Sequence, residues 1–172
     1  SSYGALRMLA PADRASRCRT FCADRNGYVR SEAFACVVLA SADFRKKMAT
    51  MRKPYARVLG GACNNNGRTE QSLVHPNAAV QTKLLEAVYS EQGVPMPFYV
   101  ECHGTGTQKG DEHELLALKH FLKKNERKVS VCAEGATPLL LGSVKSNLGH
   151  SEAASGLLGV IKTVLSIENK MI

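Results

Sequence analysis

Two stretches constrain the fold most: residues 98–104 (FYVECHG) and 139–150 (LLLGSVKSNLGH). Each begins as a short apolar run and then breaks into a loop holding glycine and histidine. A run of that length followed by turn formers reads as a buried strand. The spacing predicts strands over 98–102 and 139–144, each leading through its loop into a helix. The first helix is expected over 111–122, with Asp111 and Glu114 at capping-box spacing. The second is expected over 153–168. Its Leu157, Leu158, Val160, Ile161, Val164, Leu165 and Ile167 cover more than one face, which predicts a buried helix. Gly156 and Gly159 would let a neighbour approach its backbone.

Upstream, Val80, Leu84, Leu85 and Val88 have helical spacing, ended by Gly93, Pro95 and Pro97. Residues 33–40 (AFACVVLA) read as a strand buried on both faces, and 55–59 as another short strand. Residues 1–30 are turn-rich and polar, and 63–71 (CNNNGRTEQ) are dense in turn formers. Strands alternating with helices indicate a layered α/β fold, without internal repeats or low-complexity segments.

With 172 residues, 44% hydrophobic and 22% charged, the chain suits one globular unit with a sizeable core. No apolar run approaches the ~20 residues of a membrane span. The first nineteen residues lack the pattern of a secretory signal, and there is no initiator methionine, so a piece of a longer protein is expected. The six cysteines (Cys18, Cys22, Cys36, Cys63, Cys102, Cys132) form no CxxC pair, which favours reduced thiols and no metal site. The net charge of +8 is concentrated at Arg45, Lys46, Lys47, Arg52, Lys53 and Arg57. Only Tyr55 lies nearby, so a solvated linker is favoured over a nucleic-acid surface; a docking surface for an acidic protein is the alternative.

The loop 104–110 (GTGTQKG) sits where a dinucleotide fingerprint belongs, but its glycines read GxGxxxG, one residue too long. A P-loop would need GK[ST], and Gly110 is followed by Asp111. His113 and His120 are seven residues apart rather than the four of a zinc-binding helix, so they read as solvent-facing. His103 and His150 differ: each lies at a strand end or its loop, beside glycine, where α/β sheets gather ligand groups. A fixed imidazole can donate to a developing oxyanion or handle a proton near neutral pH. Lys145, Asn147 and Glu152 share the second loop and can orient the site or balance its charge. The alternative is a pair of loop histidines satisfied by backbone, with Glu152 favouring a helix start; spacing alone does not separate the two.

At these residues the chain resembles the β-ketoacyl synthases. HGTGTQKGDEHE is similar to their HGTGTxxGDxxE element, and GSVKSNLGHSEAASG to their GSxKSNxGHxExASG element. DRNGYVRSEAFACVVLA resembles the NGY-RSEA strand entry of animal-type fatty acid synthases, and NNNGRTEQ…HPN an N-x-DG-x-x-EQ…PS segment. The order of the four matches is the family's. The resemblance implies a thiolase-like layered αβαβα fold, incomplete here: residues 1–47 as the end of the N-terminal half, and 54–172 as a truncated C-terminal half.

It also implies decarboxylative Claisen condensation of acyl and malonyl thioesters carried on the 4'-phosphopantetheine of acyl carrier protein, with no cofactor bound directly. His103 and His150 would be the catalytic histidines and Lys145 the active-site lysine. Glu152 would be the lysine's charge partner, with Asn147 supporting the site. Thr105 and Thr107 match the threonines that line the phosphopantetheine channel.

The family's nucleophile sits in a TACSSS-like elbow, and none of the six cysteines has that context, so the segment alone is expected to be inactive. RSEAF in place of RGEG tilts the reading towards a cytoplasmic, homodimeric animal-type fatty acid synthase; His75 departs from the pattern. An iterative polyketide synthase and a non-catalytic ketosynthase-like scaffold are the alternatives.

Overall fold

A computed structural model describes residues 8–11, 17–47, 53–67, 75–125 and 138–172. Cys132 and most of the 63–71 turn region's second half lie outside them.

The two strands form as the sequence predicts. β1 (Tyr99–Glu101) and β2 (Leu140–Gly142) pair in parallel, with Tyr99 opposite Leu140, Val100 opposite Leu141 and Glu101 opposite Gly142. Bonds from Leu140 N to Phe98 O (2.8 Å) and from Cys102 N to Gly142 O (2.7 Å) extend the ladder at both ends. Parallel strands need a long crossover. The helix between them is the longest in the described chain, α3 (Gln108–Lys124).

Before the strands come α1 (Ala42–Lys47) and α2 (Ala78–Glu86), the latter continued by a π-helical turn over Ala87–Glu91. Asn77 caps α2, its Oδ1 accepting from Ala79 N and Val80 N. α2 packs along α3. Thr82 Oγ1 reaches Ala117 O at 3.3 Å, the Tyr89 and Phe121 rings lie 5.5 Å apart, and Lys124 pairs with Glu86 at 2.8 Å. Ala78, Ala117, Leu118 and Phe121 are buried on these two helices, and Cys102, Val144, Cys18 and Tyr28 are the other buried apolar residues among those described.

α3 starts three residues earlier than expected, after Thr107, so the capping-box reading of Asp111 is wrong. Asp111 lies a full turn inside the helix. Helical side chains lean towards the N-terminus. Its carboxylate therefore reaches back into the glycine loop instead of capping its own backbone.

The expected loop after β2 contains a single helical turn, α4 (Lys145–Leu148), stopped at Gly149. A 3₁₀ turn (Glu152–Ala154) then opens α5 (Ser155–Asn169). The predicted burial of α5 is not found, because none of its residues is buried. One face lies on β1, where a Cβ on Gly159 would stand 3.2 Å from Glu101 Cγ. The face carrying Leu157, Val160, Leu165 and Ile167 is open, and Gly156 has no close neighbour.

Two other expectations are corrected. Residues 33–40 and 55–59 pair with no described strand. Phe34, Val38, Leu39, Val58 and Leu59 are exposed. A strand is defined by its neighbour's hydrogen bonds, and neither run makes such a pairing among the described residues. Among the described residues no helix is long and apolar enough to cross a membrane.

Candidate active site at the paired strand ends

The glycine loop after β1 wraps two carboxylates. Glu114 accepts from the peptide N–H of His103 with one oxygen (2.6 Å) and from that of Gly104 with the other (2.8 Å). Asp111 accepts from Gly106 N (3.0 Å) and from Phe21 N (2.7 Å). These are the donors a phosphate cradle would need, and they are already taken. Gly104 has φ +46°, and a Cβ there would lie 2.6 Å from Thr20 Cγ2 and 2.7 Å from Ser143 Cβ. Only glycine fits.

The second loop is tied to the first and to the chain's early segment. Ser143 Oγ donates to His103 O (3.2 Å), and Glu101 accepts from Val144 N (2.5 Å). Lys162 bonds both Glu101 and Tyr99 at 2.8 Å, and the Tyr99 hydroxyl also meets Glu101, so β1 and α5 are locked behind the site. His150 N donates to Val29 O (2.7 Å), and His150 O accepts from Ser31 N (3.0 Å). Gly149, at φ +79°, passes so close to Val29 O that a Cβ would stand 2.9 Å from it.

These constraints bring His103 and His150 together, with ring centroids 5.4 Å apart and planes at 89°. The Tyr28 ring also lies against His150, with centroids 4.9 Å apart. His150 Nδ1 accepts from the peptide N–H of Glu152 (3.0 Å). A backbone N–H can only donate, so the neutral ring carries its proton on Nε2.

Burial, then the charge of Lys145, lowers the His150 pKa, and Glu152 opposes this. His103 is exposed as a residue, although protein crowds part of its ring. Burial, Lys145 and His150 lower its pKa to about 4. Both rings are neutral at pH 7. Lys145 is only 4% exposed, and burial lowers its pKa while Glu114 and Glu101 hold it up. Burial raises Glu114 in turn, against the two peptide donors it accepts from.

The predicted pairing of Lys145 with Glu152 is therefore corrected. Glu152 accepts from the Tyr28 hydroxyl (3.0 Å) and faces Arg30 Nε at 3.9 Å, while the acids acting on Lys145 are Glu114 and Glu101. Asn147 is exposed, and its Oδ1 lies 3.3 Å from the neighbouring Ser146 hydroxyl. Thr105 is buried, and its hydroxyl bonds that of Thr107 at 3.0 Å. His120 is exposed, whereas His113 is partly covered with a buried Nδ1.

Burial with the charges of Glu114 and Glu101 pushes the Cys102 thiol up to about 12. Burial also raises Cys18, whose sulfur lies 3.2 Å from Val29 N. Neither is a thiolate at neutral pH. Among the described residues no group of His, Cys, Asp and Glu forms a metal site.

Sequence reasoning missed Tyr28, Ser143 and the Tyr99–Glu101–Lys162 network. It named Asp111 and Glu114 but assigned them to a helix cap. The available signal was two carboxylates just after a loop rich in free peptide N–H groups. The whole arrangement offers two neutral imidazoles and a buried ammonium, a set suited to stabilising negative charge that develops on oxygen.

The chain matches the family described as "Beta-ketoacyl synthase, C-terminal domain" over residues 55–172. It is 38% identical over 159 residues to the highly reducing polyketide synthase apmlA of Arthrinium phaeospermum, covering 91% of this chain and 6% of that protein. It is 39% identical over 166 residues to the fatty acid synthase of Anser anser anser, covering 95% of this chain and 42% of that one. Among solved structures, the oxazolomycin ketosynthase domain OzmH KS7 of Streptomyces albus JA3453 superposes with a TM-score of 0.82 at 28% identity, covering 96% of this chain and 27% of that one. The neighbours are thiolase-like ketosynthase domains, and the mixed α/β architecture is part of that fold. Fatty acid and polyketide synthases both occur among the relatives, so the animal-type assignment does not follow from them. The chain belongs to the β-ketoacyl synthase family, whose C-terminal domain occupies residues 55–172.

Proposed function

We propose that the chain is the ketosynthase segment of a multifunctional fatty acid synthase, catalysing decarboxylative Claisen condensation. The observation carrying this reading is the pair of imidazole rings, 5.4 Å apart, with the charge of the buried Lys145 acting on both. In this reading a malonyl thioester on acyl carrier protein loses carbon dioxide, leaving an enolate whose oxygen is stabilised by hydrogen bonds from His103 and His150. The enolate carbon attacks an acyl thioester, the new carbon–carbon bond forms, and the thiolate leaves. Burial, and after it the positive charge of Lys145, keep both rings unprotonated.

The acyl group would be held by a cysteine in a TACSSS-like elbow, a context that none of the six cysteines has, and the Cys18 and Cys102 thiols are in addition held protonated. Residues 1–47 would end the N-terminal half and 54–172 would belong to the C-terminal half. A cytoplasmic, homodimeric parent is part of the same reading. Fatty acid rather than polyketide is favoured by the NGYVRSEA stretch, residues 26–33.

The test uses the full natural chain with malonyl- and acyl-loaded carrier protein, following carbon dioxide release and 3-ketoacyl product. Activity lost in His150→Ala supports the reading. A wild-type chain without condensation overturns it, and a product left unreduced and further extended moves the assignment to polyketides.

A further inference from the structure

Building on the condensing role proposed above, we propose that Tyr28 is a positioning residue for His150, acting through the carboxylate of Glu152. Tyr28 is 3% exposed and lies across the chain from the histidine loops in sequence, yet it contacts that loop in two ways. Its ring packs on the His150 ring at 4.9 Å, tilted by 50°. Its hydroxyl donates to Glu152 Oε1 at 3.0 Å. Glu152 closes the circuit, because its own peptide N–H donates to His150 Nδ1 at 3.0 Å.

That peptide is not in a relaxed conformation. Glu152 has φ +51°, a left-handed backbone that a non-glycine residue holds only when its surroundings impose it. The 3₁₀ turn's own bonds, Ala154 N to Ser151 O and Ser155 N to Glu152 O, hold the main chain there, and the side chain is fixed by its bond to the buried tyrosine, with Arg30 on the same oxygen at 3.9 Å. Backbone bonds to Val29 and Ser31 place the main chain of His150 but leave its ring free to turn. The Glu152 peptide is what selects the ring's orientation and keeps the proton on Nε2. Tyr28 thus sets which nitrogen of His150 can donate. The other groups facing the ring are His103 and Lys145.

Tyr28→Phe in the full natural chain keeps the ring contact and removes only the hydroxyl. The expected result is a fall of about tenfold in kcat for condensation with KM unchanged, the pattern of a lost transition-state interaction. Carbethoxylation of His150 by diethylpyrocarbonate, followed by peptide mass spectrometry with His103 as reference, should become about tenfold faster as Nδ1 is released. Glu152→Ala should reproduce both effects, and the double variant should add nothing to it.

Wild-type kcat in Tyr28→Phe, an unchanged His150 carbethoxylation rate, or losses that multiply in the double variant would each overturn the proposal. Should Tyr28→Phe not fold, Glu152→Ala decides by the same carbethoxylation readout. A wild-type chain that condenses nothing would refute the condensing role alone, because the carbethoxylation rates still report on Tyr28.

Discussion

Replacing Glu114 by glutamine tests whether the glycine loop is held by a carboxylate. Each Glu114 oxygen takes one peptide N–H, from His103 at 2.6 Å and from Gly104 at 2.8 Å. A glutamine amide has the same shape but only one oxygen. Its NH₂ group would face one of the two peptide donors, leaving that donor unsatisfied. Gly104 is buried while His103 is exposed, so the loss is largest where the Gly104 donor is left unsatisfied, at about 1–3 kcal/mol. The negative charge acting on Lys145 is lost as well.

Converted at 1.4 kcal/mol per factor of ten, the opening equilibrium of the loop shifts roughly 5- to 150-fold. Hydrogen–deuterium exchange of a peptide spanning residues 99–107 reads this directly, since local opening governs exchange of such amides. Glu112→Gln, at an exposed site on the same helix, is the control. Exchange in Glu114→Gln within twofold of that control would refute the view that the carboxylate organises the loop.

Two further outcomes follow. Gly104→Ala forces a left-handed residue, at about 1–2 kcal/mol, and drives a methyl into Thr20 and Ser143, at about 1–3 kcal/mol. The 99–107 peptide should then become exchange-labile at clearly lower urea than in wild type; an unchanged midpoint refutes the close approach. Acidification should destabilise the site through His103. Its folded pKa of about 4 lies below the ordinary 6.5, so the unfolded ring takes up a proton that the folded ring refuses. This contribution is complete above pH 6.5 and is lost as pH falls through about 4. Glu114 and Asp111, raised by burial, act in the opposite sense as they protonate. Between pH 7 and 5 the urea midpoint of wild type should fall more than that of His103→Asn, and equal falls would refute the assignment.

The sequence made the strands, their connecting helices and the His103–His150 pair legible, because each rests on a local signal: an apolar run, a helical period, a histidine beside glycine. What it hid depends on partners distant along the chain. Asp111 and Glu114 have capping-box spacing, and nothing local says that the helix begins at Gln108 instead. The choice between Glu152 and Glu114 as the acid acting on Lys145 is decided by how segment 27–31 lies against the second loop, which no spacing encodes. The apolar periodicity of α5 and of residues 33–40 measures a capacity for burial; whether a surface arrives to bury them is a separate fact.

Segment 17–31 joins the two histidine loops, and this sets the order of assembly. Thr20 meets Gly104 across 84 residues, Phe21 meets Asp111 across 90, and Tyr28 meets Glu152 across 124. Such closures sacrifice chain entropy before any contact compensates, and contacts of high sequence separation slow folding. A growing chain can form α2, α3 and their seam while His150 is still unsynthesised. The imidazole pair can come into register only after residue 152 has returned to Tyr28. The histidine pair is thus tied to contacts that close late among the described residues: a chain that has stalled short of that return has much of its helical core but no histidine pair.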